Sequence, residues 1–311
     1  MLFFFVIFSC VNFLSEKEKR HPILSSGYLL IFHHCRVSEL DCYDPMLHEV
    51  GLAHSTDGKK WVIFDALSGL RGSVPDIILR DNDFWIYALP ESYLIDATTL
   101  KIKKRDGVKV FDSKNERRIQ VDPSTIIDEN GRIVLFFLEG IPGIDPARCP
   151  HHRPCTKRFL SATEREGSQG MIFDLDEGIR LDLPIMGNEF ASDPDIFIGR
   201  DNLFYMYISR GQGTQVFSSN TLRGEYKEVG WLTKNNGGVA CGYYDEQTDS
   251  FWSFTSKNVP QPWIQEIRYD IHRNFDAQIQ LVNPLFQQDD WNAKYKGPVM
   301  HGSPGFLSVS P

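Results

Sequence analysis

Residues Gln120–Gly140 read QVDPSTIIDENGRIVLFFLEG, and the fold is decided on this stretch. An acidic residue stands beside proline at Asp122-Pro123, an apolar run follows, Asp128-Glu129-Asn130-Gly131 supplies turn residues, and a run rich in Phe and Leu closes the unit. Two short apolar runs joined by such a turn predict a β-hairpin. The same order recurs in SVPDIILRDNDFWIYAL from Ser73, with the turn Asp81-Asn82-Asp83, and in ASDPDIFIGRDNLFYMYISRG from Ala191, with the turn Gly199-Arg200-Asp201-Asn202. Weaker copies begin at His21 (HPILSSGYLLIFHH) and at Gly237 (GGVACGYYDEQTDSFWSFTSK).

Second strand pairs lie between these hairpins, such as EVGLAHSTDGKKWVIF from Glu49 and TQVFSSNTLRGEYKEVG from Thr214. The Asp57-Gly58 turn before Trp61 suits a tight outer hairpin whose aromatic packs on its neighbour. Four strands per unit, in units of roughly 45 to 55 residues, match the repeat of a β-propeller blade. An ordinary β-sandwich would also show short strands and regular turns, but gives no reason for acid beside proline to recur. In a propeller the first strand of every blade lines the central channel, so those positions converge at one mouth. The reading is therefore all-β, a five-bladed β-propeller over residues 21–311, after a segment at 1–20 of different character.

That segment, MLFFFVIFSCVNFLSEKEKR, carries an apolar run from Leu2 to Phe8 that is too short to span a bilayer and suits an export signal. Ser9-Cys10 at its end resembles a bacterial lipoprotein signal, with Cys10 as the lipidated residue and membrane attachment through that lipid. The alternative is a buried first strand or helix. Two close cysteine pairs, Cys35 with Cys42 and Cys149 with Cys155, flank polar loops and predict local disulfides, which fits a periplasmic or cell-surface location. Metal binding is the competing reading, since His33 and His34 adjoin one pair and His151 and His152 lie within the other, though neither has a standard zinc spacing. A formal charge of −8 without a dense Lys/Arg run excludes a nucleic-acid groove and leaves neutral sugars allowed.

At Val121-Asp122-Pro123-Ser124, with Asp128, Asn130 and Gly131, the chain resembles the five-bladed propeller glycoside hydrolases of family 43 and relatives, with Val74-Pro75-Asp76-Ile77 and Tyr207 through Gly224-Glu225-Tyr226 extending the likeness. The resemblance implies an oligosaccharide or polysaccharide ligand, a carboxylate base in blade one, a pKa-tuning aspartate in blade three and a glutamic acid donor in blade four. Asp122 matches the tuning aspartate. Blade one reads His21-Pro22 where a carboxylate is expected, and blade four reads Ser192-Asp193-Pro194 where Glu-Gly-Pro is expected, so the acid would fall to Asp193 or Glu189.

The candidate catalytic residues are thus Asp122, Asp193 and Glu189, with Asp76, His21, Arg210 and His301 as candidate substrate contacts. No cofactor is implied; a central calcium ion is an option without a clear ligand set. Acid beside proline can also do no more than fix a strand entry by accepting backbone N–H bonds. A carbohydrate- or protein-binding propeller that has lost its catalytic pair is the alternative function. The cysteine-paired insertion at 140–157 is the loop expected to overhang a pocket.

Overall fold

A computed structural model describes residues 21, 26–36, 42, 44–64, 67, 69–143, 145–258, 265–275, 279, 281, 283–286 and 299–309. Twenty-three strands are found among them. β1 (Gly27–Arg36), β2 (Glu49–Ser55) and β3 (Val62–Phe64) come first, and β4 (Ser73–Arg80), β5 (Asp83–Leu89), β6 (Ser92–Asp96) and β7 (Ile102–Asp106) form the second sheet. The third sheet is larger. It joins β8 (Lys109–Phe111), β9 (Arg117–Arg118), β10 (Gln120–Ile127), β11 (Ile133–Glu139), β12 (Cys155–Glu164), β13 (Ile172–Leu175) and β14 (Leu181–Ile185). β15 (Ser192–Ile198), β16 (Phe204–Ser209), β17 (Thr214–Ser219) and β18 (Lys227–Thr233) make the fourth, and β19 (Gly238–Asp245), β20 (Ser250–Asn258), β21 (Gln265–His272) and β22 (Asn283–Pro284) the fifth. β23 (Val299–Val309) returns to the first sheet and pairs antiparallel with β1, in the order β23-β1-β2-β3.

Five apolar clusters, one in each gap between sheets, show that the sheets stand around a closed ring. Leu29 and Ile31 face Ile77, Phe84 and Ile86 of the second sheet, while Leu30 and Phe32 face Trp252 and Phe254 of the fifth. The same division of alternate residues between two gaps continues around the ring: Leu135 and Phe137 pack toward the second sheet, and Val134, Phe136 and Leu138 toward the fourth. Phe197, Tyr205 and Tyr207 meet Phe251 in the remaining gap. Strands buried on both faces must be apolar at successive residues, which is why LLIF at 29–32 and IVLFFL at 133–138 show no alternation of apolar with polar. The inner strands β23, β4, β10, β15 and β19 contact one another in that cyclic order. The architecture is a five-bladed β-propeller.

Each inner strand opens on a register shift against its partner strand. The residue at the shift takes left-handed backbone in all five: Val74 (φ 47°), Asp122 (54°), Asp193 (48°), Val239 (46°) and Ser303 (50°). Proline follows in four blades and Ala240 in the other. Proline has no N–H to give to a ladder, and a bulge is where a strand tolerates that loss. Left-handed backbone costs a non-glycine residue about 1–2 kcal/mol. Its five-fold recurrence, on two valines and a serine as well as two aspartates, makes the strain a property of the ring and not of any one chemistry.

The blade-one reading needs correction. The stretch from His21 does not begin an inner strand: β1 is the second strand of its blade, and the inner position is filled by β23 from the other end of the chain. His21 instead donates its backbone N–H to Ala97 O (2.8 Å) and sets its ring 5.5 Å from Phe64. Ala97 itself bonds Asn82 in the β4–β5 turn, so His21 lies at the end of the propeller away from the bulges. The outer hairpin is as expected, with Trp61 edge-on to Phe254 of blade five at 5.8 Å. Both disulfides are formed, Cys35–Cys42 and Cys149–Cys155. Cys10, with all of residues 1–20, lies outside the described residues. Among the described residues no helix is long and apolar enough to cross a membrane.

Candidate active site at the channel mouth

The bulges place two kinds of carboxylate. Asp122 and Asp193 sit on the bulge itself in adjacent blades, whereas Asp76 and Asp195 lie two residues after their own bulge residues, Val74 and Asp193. Asp76 is therefore the structural counterpart of Asp195, and not of Asp122 and Asp193 as the acid-beside-proline pattern suggested. Residues at this second position tie three of the blades to the next. Asp76 Oδ2 accepts from both the N–H (2.5 Å) and the hydroxyl (2.6 Å) of Thr125; Ser124 Oγ accepts from Ile196 N–H (3.0 Å); Asp195 Oδ2 accepts from Gly242 N–H (2.9 Å). Asp76 thus performs the strand-fixing role, across a blade boundary. Burial pushes its pKa up to about 6 against those bonds. Burial, and then the charge of Asp76, holds Asp195 well above the usual carboxylate range.

Asp122 and Asp193 form a coupled pair. Asp193 donates its backbone N–H to Asp122 Oδ2 (3.3 Å) and accepts from the Ser192 hydroxyl on its own Oδ2 (2.5 Å). Burial first and the neighbouring Asp193 second push Asp122 far upward; burial lifts Asp193 to about 6. Burial of both carboxyls and the charge of Asp193 beside Asp122 oppose ionising the two together. Asp193 keeps partial exposure, which leaves the pair open to the mouth.

The insertion is fastened beside this pair. Ala191 N–H bonds Ala147 O (3.1 Å), and the Arg148 guanidinium lies 4.4 Å from the Phe190 ring centre, so the loop is bound to the residues that enter β15. Asp145 on that loop adds to the upward push on Asp122. Glu189 accepts from Met186 N–H (2.8 Å) and from Arg210 (3.1 Å). Arg210 is held by Phe190 O (2.7 Å) and Gln215 Oε1 (2.6 Å) and lies 5.9 Å from the Trp231 ring centre. Glu189 and Arg210 therefore pair with each other beside the entry to blade four. His301 is buried in blade one, where its Nδ1 accepts from Ile267 N–H (3.0 Å) and burial drives its pKa down to about 3.

Sequence reasoning missed Asp195, Asp145 and Ser303. Asp195 follows Pro194 as Asp76 follows Pro75, so the signal for it was present. Ser303 holds the bulge position of blade one, where the family resemblance implies a carboxylate base. No group of three or more His, Cys, Asp or Glu among the described residues is arranged to hold a metal ion.

No family model matches the chain, and no curated protein matches it. Solved structures do. The chain is similar to RS223 β-xylosidase (TM-score 0.54, 12% identity, covering 78% of this chain and 87% of that one) and to a structure described as a glycoside hydrolase (TM-score 0.54, 14% identity, 84% and 62%). An endo-arabinase from Bacteroides thetaiotaomicron gives a TM-score of 0.49 at 13% identity, with 75% and 88% covered. At these identities the likeness to the first two establishes the fold alone, a propeller that glycoside hydrolases also use. Fold class is what the chain shares with them.

Proposed function

We propose that this propeller acts on a glycan at the Asp122–Asp193 mouth, with the protonated member of the pair as general acid. The observation that carries the reading is a buried carboxyl, Asp122, beside the partly exposed Asp193 at the channel mouth, next to an insertion loop. Glycosidic cleavage requires one carboxyl protonated and one ionised near the scissile bond, and like-charge coupling is a way to hold them so. Asp122, pushed further up, keeps the proton while Asp193 ionises at about 6, so activity is expected to rise as pH passes about 6 and to fall at higher pH where Asp122 itself ionises. The two disulfides support an exported protein, with Cys10 as its lipid anchor.

The full-length chain should release reducing sugar from at least one of the xylan-, arabinan- or glucan-derived oligosaccharide series. Asp122→Asn and Asp193→Asn should each lower that release by about 10²- to 10⁴-fold. Unchanged turnover in both variants would remove the pair from catalysis. Ser303 favours a second reading, because a hydroxyl there cannot replace a carboxylate base. Glycan binding without sugar release, weakened in the same variants, is its signature.

A further inference from the structure

Blade three departs from the four-stranded plan, and its departure builds a groove. β12 forks: its first half, Cys155–Phe159, pairs with β14, and its last residues, Ala162–Glu164, pair with β13. β13 in turn pairs in parallel with β8, which carries the β8–β9 hairpin as an additional wall. A cleft of about 300 Å³ occupies this fork, a second of about 220 Å³ lies beside it between the start of β12 and the insertion loop, and both are lined by Glu139 and Arg158. The first reaches Asp145, Pro146 and Pro150 of the insertion loop, and Asp145 is the residue whose charge is felt by Asp122. The second ends at Glu177-Gly178. From Cys155 to Leu160 the groove follows β12 for roughly 17 Å at the usual strand rise.

We infer that this groove is an extended binding site for a linear, uncharged glycan chain running outward from the mouth, an inference that rests on the function proposed above. Its walls combine the two surfaces a sugar polymer needs. Ile141, 55% exposed, stands with Pro146 and Pro150 as apolar surface for C–H faces. Beside them Arg118 and Arg158 flank Glu139 at 3.0 and 3.9 Å, with Arg118 also 3.8 Å from Asp112 and Arg158 3.5 Å from Asp182. These planar groups offer donors and acceptors to hydroxyls while neutralising one another. Along the same walls five acidic groups, Glu139, Asp145, Asp112, Asp176 and Glu177, outnumber the three basic ones, Lys157, Arg118 and Arg158, so the excess of negative charge disfavours an anionic polymer.

The test uses the full-length chain and the dimer and hexamer of the oligosaccharide series that binds, by isothermal titration. The hexamer should bind about tenfold or more tighter than the dimer. Ile141→Asp and Arg158→Ala should bring hexamer affinity down to that of the dimer and leave dimer binding unchanged, and Arg158→Lys should restore part of the difference. Equal binding of dimer and hexamer by the unmodified chain, or a length preference that survives Ile141→Asp and Arg158→Ala, overturns the groove while leaving the mouth intact. Absence of binding by every series refutes the mouth and the groove together. Unchanged thermal midpoints in both variants establish that any loss reports the groove and not the fold.

Discussion

Replacing Asp76 by Asn should change how stability depends on pH, by an amount the structure sets. The folded carboxyl titrates at about 6 against an ordinary 3.8, so the native chain binds its proton more tightly than the unfolded chain does. A raised folded pKa contributes stability that is complete below the unfolded value and is lost as pH rises through the folded one. Most of that difference falls between pH 4 and pH 8, which is about 2 kcal/mol. Asn cannot titrate. Its carbonyl can still accept from Thr125, and any constant cost of its amide cancels when the two profiles are compared across pH. Urea unfolding followed by tryptophan fluorescence should therefore show Asp76→Asn gaining about 2 kcal/mol on the unmodified chain between pH 4 and pH 8. Parallel profiles would refute the claim that burial in its inter-blade tie raises the Asp76 carboxyl.

His301 should act in the opposite sense. Its folded pKa is depressed to about 3, so the unfolded chain takes the proton first, and His301 should take away about 1.4 kcal/mol of stability per pH unit from about 6.5 toward 3; His301→Asn, which keeps an acceptor for Ile267 N–H, should make the acid limb shallower by that amount while buried His33, depressed likewise, keeps its own share, and an unchanged limb by urea titration would assign it elsewhere. Val239→Gly should stabilise by about 1 kcal/mol, because glycine carries no penalty for left-handed backbone and Val239 is partly exposed; a loss of about 1 kcal/mol or more would show that the side chain's packing outweighs its strain.

The blades with Val74-Pro75, Asp122-Pro123 and Asp193-Pro194 were legible because a bulge that needs proline leaves a local mark. Gly238-Val239-Ala240 forms the same bulge with no proline, and only its turn and aromatic strand betrayed the fifth hairpin. What no local pattern encodes is which strand sits innermost in blade one, since that choice rests on closure of the ring by β23 from the other end of the chain. The misalignment of Asp76 has the same origin: the proline fixes the register, and the acid can stand before or after it. Of the candidate site residues, Asp122 and Asp193 are brought together, Glu189 and Arg210 pair beside the entry to blade four, Asp76 joins blades, and His21 and His301 serve other places in the fold.

The pairing of Gly27 with Val309 joins residues 282 positions apart, and it is made by the strand that completes the ring. On the ribosome β1 must wait, its inner edge bare, through the synthesis of four further blades. An unpaired apolar edge invites pairing with another chain, and contacts of such long sequence separation form slowly. Nascent chains interrupted anywhere before Val299 would present that edge permanently, so the propeller's assembly couples solubility to the arrival of its last strand.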